Sequence, residues 1–414
     1  MKSEICAASL VVALIAGTSP SLSQTINPAA ESTPQGRQQF PPAVLQPGAE
    51  DYAHNANQSS SDADLQNRLQ RIDSMVVERM QALNMPAYCL VVIKNGKVVF
   101  QKPYGYANLE TRQPTSNDTI FGLASITKTF TALALLTLVD KGLVGLDDPL
   151  SKYIDGLTNE YKPLTIRQLA SMTAGVPSKV SEEVEWRNQL DILVHTPLVS
   201  QPGSAYLYSN YSYRLLGSVI EKISGQPYLQ YVESVICAPL NMRSTGTVVL
   251  LQPTGRVAQA YGDNMGQGPL RAIEYKSPAV AFSAGMLATT SNDLINYVFG
   301  LMSHKIISED GYKTLWDYRP SLTTGQPSKW AFGWAKARNK NLGGALTLSM
   351  NGGVPGIAST IIILPESNSA VIALCNLRKP PVYQVARNAA VIAFGDAGSP
   401  PPDDDEEHPG LNSD

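Results

Sequence analysis

Residues 125–142 read SITKTFTALALLTLVDKG. Phe130, Leu133, Leu135, Leu136, Leu138 and Val139 surround a 3.6-residue repeat almost completely, and Gly142 supplies a stop. The spacing predicts a helix from about Ser125 to Lys141 that is central and buried. Positions three apart share a helix face, so the Lys128 amine lies beside the Ser125 hydroxyl at the helix N-terminus. A free serine is a weak nucleophile and needs a neighbouring base. A lysine in apolar surroundings tends toward a lower pKa and can be that base. The helix N-terminus adds N–H groups and a positive dipole end for a developing oxyanion. Ser-x-x-Lys is also common by chance, and an ordinary surface pair is the alternative; the apolar helix around Lys128 argues against it.

Outward from this helix, Leu65, Leu69, Ile72, Val76, Met80 and Leu83 recur at helical spacing, with Pro86 beyond the stop. Tyr88 to Val92 and Val98 to Gln101 flank Asn95-Gly96, whose residues both tolerate positive φ, and so predict a tight hairpin. A mostly helical middle follows, with Leu164 to Met172, Tyr213 to Ile223 and Tyr228 to Ile236. Leu346 to Met350, Ser359 to Leu364 and Ala370 to Cys375 read as three late strands. An early hairpin and late strands around a helical insert predict one sheet built from both chain ends. The expected fold class is α/β (α+β): an antiparallel β-sheet flanked by helices, plus an all-helical subdomain.

The chain has 414 residues, 43% of them hydrophobic, and a formal net charge of −3. No basic surface suggests a nucleic-acid partner. Lys2, the apolar stretch Ile5 to Ala16 and the small-x-small run Ser21-Leu22-Ser23 read as a signal peptide over residues 1–23. A membrane anchor is the rival reading, but a bilayer span needs about 20 apolar residues. The expectation is an exported protein, periplasmic or extracellular, without stable membrane insertion after signal cleavage. Residues 24–62, rich in Pro, Gln, Asn, Ser and Ala, read as a disordered leader, and 397–414 as an acidic disordered tail. The domain between them is expected over residues 63–396. Beyond Cys6, three cysteines remain, Cys89, Cys237 and Cys375. An odd count at wide spacing fits neither a disulfide framework nor a zinc site, so they are expected as buried apolar fillers.

Tyr208-Ser209-Asn210 follows the turn signal Pro202-Gly203 and precedes a helical run. A tyrosine near Lys128 can relay a proton as phenol or phenolate, and the Asn amide can orient the lysine and a substrate carbonyl. By spacing alone, Tyr208 reads equally as a structural tyrosine beside Tyr206, Tyr211 and Tyr213. His54, His195, His304 and His408 are the only histidines, and no G-x-S-x-G elbow accompanies them. With no H-E-x-x-H, P-loop or dinucleotide fingerprint, no metal or cofactor is expected.

These segments together resemble the serine β-lactamase-like hydrolases, the group of class C β-lactamases, D-Ala-D-Ala carboxypeptidases, D-aminopeptidases and related esterases. The resemblance rests on Ser125-Ile126-Thr127-Lys128, Leu164 to Leu169 with Thr173 to Pro177, Pro202-Gly203 through Asn210, Pro239 to Met242, Ala284 to Leu287 and Gly352 to Gly356. It implies a β-lactamase/transpeptidase-like fold and Ser125, Lys128, Tyr208 and Asn210 as catalytic residues. It also implies that the N–H groups of Ser125 and Gly353 hold the oxyanion. The third family motif, usually His-x-Gly or Lys-Thr-Gly, aligns with Met350-Asn351-Gly352, where methionine carries no charge. Three alternatives stay open there: the alignment as given, a shift that places Asn351 at the key position, or a carboxylate partner such as Arg338 or Arg378. The expected function is cleavage of an amide or ester in a small-molecule or peptide substrate, through a Ser125 acyl-enzyme. An esterase, an acyltransferase or a non-turnover β-lactam sensor is the alternative, and the oligomeric state is open.

Overall fold

The computed structural model describes residues 60–180, 184–262, 268–275, 278–378 and 382–395. The signal, nearly all of the leader and the acidic tail expected from sequence lie outside the described residues. Four helices organise the rest: α1 (Ser60–Leu83), α2 (Thr127–Asp140), α3 (Asn210–Ser224) and α4 (Val382–Phe394). The main strands are β1 (Ala87–Lys94), β2 (Lys97–Asn108), β3 (Gln113–Pro114), β4 (Trp330–Ala331), β5 (Trp334–Asn339), β6 (Ala345–Val354), β7 (Ile357–Leu364) and β8 (Ser369–Cys375). They form one eight-stranded antiparallel sheet in the order β3-β2-β1-β8-β7-β6-β5-β4. The two chain ends meet at β1 and β8, where Tyr88 opposes Cys375.

Strand alternation sorts residues into two cores. Cys89, Val91, Ile93, Ile361, Ile363, Ile372 and Leu374 face α2 and the helical region. Tyr88, Leu90, Val92, Ile362, Leu364, Val371 and Ala373 face the other way. There α1 buries Leu69, Ile72, Val76 and Met80, its predicted stripe, in one cluster with Val385, Ala386 and Ala389 of α4. Arg68 of α1 donates to Ile392 O and Gly395 O, closing the end of α4. Asn95 and Gly96 join β1 to β2 with φ of 52° and 72°, the positive pair that a two-residue hairpin needs.

Several elements differ from the sequence reading. The helix starts with a 3₁₀ turn, Ala124–Ile126, before α2 proper. The segment Leu164 to Met172 is helical only over Ile166–Ala170, where Thr165 and Gln168 form a capping box. Tyr228 to Ile236 is α-helical to Val232 and widens into a π turn over Glu233–Cys237. The middle also holds a three-stranded sheet of Phe121–Gly122, Leu287–Thr289 and Gly246–Thr247, and the hairpin Ala260–Gly262 with Arg271–Ile273. β4, β5 and α4 were not anticipated. Cys89, Cys237 and Cys375 are buried free thiols. No helix among the described residues is long and apolar enough to cross a membrane.

Candidate active site

From Thr119 to Leu138 every residue is buried except Ser125, which is half-open. Its position is set by the turn before it. Ala124 has φ of 44°, a left-handed conformation that costs a non-glycine residue about 1 kcal/mol. Leu123 holds that turn from both sides. Its N–H donates to Leu287 O at 2.8 Å, and its carbonyl accepts from Ser359 Oγ at 2.8 Å.

Lys128 is 0% exposed, on the first turn of α2. Its Nζ lies 2.9 Å from Ser125 Oγ and donates to Asn210 Oδ1 and Ala284 O, each at 2.8 Å. It also stands 5.0 Å from the centre of the Tyr208 ring. Burial, and then the charge of Arg214, hold its pKa well below the usual ammonium range. Tyr208 donates to Ser125 Oγ at 2.7 Å, and burial raises its pKa, so the group is a phenol. Tyr208 and Asn210 flank Ser209, whose hydroxyl caps α3 and donates to Pro177 O at 2.7 Å. The chain reaches this point through Gly203 N to Thr173 O at 2.7 Å and Leu207 N to Met172 O at 2.9 Å. The structure therefore brings Ser125, Lys128, Tyr208 and Asn210 together.

β6 borders the turn that carries Ser125. A Cβ built on Gly352 would lie 1.9 Å from Leu123 O, so only glycine lets the strand approach this closely. Met350, two residues earlier and on the same face, is buried in the core that contains α2. Asn351 faces the other way, and its Oδ1 accepts from Thr360 Oγ1 at 3.0 Å. Gly353 shares that opposite face, where a Cβ would meet the Tyr383 hydroxyl at 2.1 Å. Met350, not Asn351, thus occupies the face turned to α2. Arg338 pairs with exposed Glu366 at 3.0 Å, beside Leu346 at the other end of β6. Arg378 does border the motif: a Cβ on Gly353 would come 3.3 Å from its Nε.

The sequence reading missed two contributors. Trp330 of β4 packs edge-on to the Tyr208 ring at 5.7 Å. Gly333, at φ +84°, backs onto α2 so closely that a Cβ would be 2.8 Å from Lys128 O. The run Trp330-Ala331-Phe332-Gly333-Trp334, aromatics around a glycine, was the available signal. His195 caps the helix Trp186–Val194, and His304 contacts Glu309; no contact joins either to Ser125 among the described residues. Among the same residues, no group of three or more His, Cys, Asp or Glu could hold a metal.

A family model described as Beta-lactamase matches residues 72–395. Protein flp of Staphylococcus aureus (strain NCTC 8325 / PS 47) is 28% identical over 325 residues, covering 74% of this chain and 63% of that protein. The chain thus spans less than two thirds of the length of that relative. A penicillin-binding protein of Bacillus subtilis (strain 168) is 26% identical over 330 residues, covering 74% of this chain and 72% of its own. The octameric penicillin-binding protein homologue from Pyrococcus abyssi superposes with a TM-score of 0.70 at 26% identity. That match covers 78% of this chain and 76% of the homologue.

Proposed function

The chain belongs to the Beta-lactamase family, and from that premise we propose that it is an exported serine hydrolase acting on an amide or ester through a Ser125 acyl-enzyme. One observation carries the reading. The half-open Ser125 hydroxyl sits 2.9 Å from a fully buried lysine amine and 2.7 Å from a tyrosine hydroxyl. A neutral amine has two N–H donors and one lone pair. Asn210 Oδ1 and Ala284 O use the donors, and the lone pair is left for the Ser125 O–H. Lys128 takes that proton as Ser125 Oγ attacks the substrate carbonyl. The Tyr208 phenol, hydrogen-bonded to the same oxygen, is placed to pass a proton to the leaving group. The N–H groups of Ser125 and Gly353 hold the oxyanion. Lys128 then returns the proton it took to the Tyr208 phenolate, which restores a neutral amine and a phenol. Water attacks the ester as Lys128 accepts its proton, Tyr208 protonates Ser125 Oγ as that oxygen leaves, and the same transfer from Lys128 to Tyr208 resets the site.

The domain carrying this chemistry is residues 63–396, and the substrate is a small molecule or peptide. Met350, apolar where relatives place a cation, favours substrates without a carboxylate near the scissile bond.

The test is covalent labelling by a serine-directed phosphonate, read by intact mass. Wild type should gain one adduct and Ser125→Ala none, with an unchanged circular dichroism spectrum. Lys128→Ala should label at least about a hundredfold more slowly near neutral pH. Equal labelling of Ser125→Ala would refute the nucleophile, and brisk labelling of Lys128→Ala would refute the base.

A further inference from the structure

We propose that Tyr383 of α4 is a positioning residue: its hydroxyl holds the Gly352–Gly353 peptide so that the Gly353 N–H points at the oxyanion. The inference rests on the role proposed above for Gly353 beside Ser125. Gly352 and Gly353 are adjacent glycines inside β6, and neither has a positive φ. Their backbone is one that any residue adopts, so what the two positions need is space for a close neighbour. At Gly352 that space is taken by Leu123 O. At Gly353 it is taken, on the other face, by the Tyr383 hydroxyl, which a Cβ would meet at 2.1 Å.

That hydroxyl donates to Gly352 O at 3.2 Å, in a buried bond. Tyr383 is 1% exposed and belongs to the core that α1 and α4 share with the sheet. Burial raises its pKa, so it is a phenol with a proton to give. Arg378 Nε lies on the same face, 3.3 Å from where a Gly353 Cβ would be. A guanidinium only donates, so it leaves the phenol proton to Gly352 O. Ser359 Oγ stands 3.4 Å from that oxygen, but its one proton serves Leu123 O at 2.8 Å. Tyr383 is thus the main side-chain donor to Gly352 O.

Gly352 C=O and Gly353 N–H belong to one peptide unit. The unit is planar and trans, so its oxygen and its N–H point in opposite directions. The oxygen is turned toward Tyr383 and toward Ser359 of β7, the strand partner of Gly352. The N–H is therefore turned away from β7. On that side β5 pairs with β6 only as far as Ser349, and no other strand among the described residues continues the pairing. The turn carrying Ser125 lies against this end of β6. A hydrogen bond accepted by the carbonyl also polarises the N–H of the same unit and strengthens it as a donor.

The experiment is phosphonate labelling of the full chain, followed by the phosphorus NMR resonance of the Ser125 adduct, whose phosphoryl oxygen takes the place of the oxyanion. Hydrogen bonds to that oxygen set the resonance apart from that of the same adduct unfolded in urea. Tyr383→Phe keeps the ring and removes the donor. It should label about tenfold more slowly at saturating probe, less than the roughly hundredfold that losing a whole oxyanion donor costs, with the half-saturating concentration kept. Its phosphorus signal should move toward the unfolded value. Tyr104→Phe removes a hydroxyl that serves Asp73 in the same core, and should label like wild type. If Tyr383→Phe does not fold, 3-fluorotyrosine in place of Tyr383, a more acidic phenol on the same ring, decides: its signal should move away from the unfolded value. An unmoved phosphorus signal in the folded variant, or equal slowing in Tyr104→Phe, overturns the inference and leaves the acyl-enzyme standing. A wild type that does not label overturns the acyl-enzyme reading itself, and this inference with it.

Discussion

Ser125 Oγ accepts from the Tyr208 phenol and shares a proton with the Lys128 amine, so in the proposed reaction one oxygen has both a donor and a base. Specificity in that scheme turns on Met350, whose face of β6 is turned to α2 while Asn351 points away. A charge-assisted hydrogen bond to a carboxylate contributes about 1.5–3 kcal/mol, roughly ten- to a hundredfold in discrimination. We predict that wild type cleaves an ester or peptide faster when its C-terminal carboxylate is amidated than when it is free. Met350→His at pH 6, where an ordinary imidazole is largely protonated, should shift the ratio toward the acid by about tenfold or more. A wild type that prefers the free acid would point instead to a nearby cation such as Arg378. Ser125 and Lys128 were legible in the sequence because three-residue spacing on an apolar helix is a local property. Tyr208 was legible only through the family resemblance, since 83 residues separate it from Ser125 and its place depends on the turns at Gly203 and Leu207.

Among the elements, the pair β4 and β5 was the least visible from sequence and lies close to the site. Trp330 packs on the Tyr208 ring and Gly333 lies on the Lys128 backbone carbonyl, so the strand pair and its turn border one side chain and one stretch of backbone of the site. The strand was missed because Lys336 interrupts its apolar face. Lys336 is 2% exposed and donates to Tyr318 O at 3.0 Å. Burial first, then the charge of Arg319, push its pKa down to about 7, with Asp317 opposing. The folded-state pKa is depressed, so below about pH 7 both states carry the proton and the full cost of the buried charge falls on the folded state. Between about 7 and the ordinary lysine value of 10.5 only the unfolded state is protonated, and the cost declines as pH rises. Lys336→Met should therefore stabilise the protein by about 2 kcal/mol at pH 6.5, after allowing for the lost hydrogen bond. The gain should shrink at pH 9.5, as read from urea midpoints at the two values. A gain that grows with pH would contradict the assignment. By contrast β1, β7 and β8 were anticipated to within a few residues, because each is apolar on both faces and bounded by turn residues.

At the scale of the whole molecule, the sheet joins residues from both ends of the described chain, and α1 and α4 seal one face of it together. We predict that a protein trimmed to residues 63–396 keeps the phosphonate labelling rate of the longer chain, although the cut removes the first residues of α1. Trimming further, to 63–378, deletes α4 and exposes Val371, Ala373 and Tyr88 beneath it, and should abolish cooperative unfolding. If 63–396 also fails to fold, the segment ahead of it contributes to the core. The two-ended sheet was foreseeable from the order of hairpin, helices and late strands; the small sheets inside the insert were not, since runs of two or three residues leave no periodicity to read. The same closure has a consequence for the chain as a ribosome makes it. The Ala87 N–H waits for the Asn376 side chain, 289 positions later, and β1 lacks its β8 neighbour until then. The turn carrying Ser125 likewise waits for Gly352 and Ser359 to press on Leu123. Pairings this distant form late and slowly. A nascent or prematurely ended chain therefore holds its serine and lysine without the frame that aligns them, and reactivity arrives only with a finished molecule.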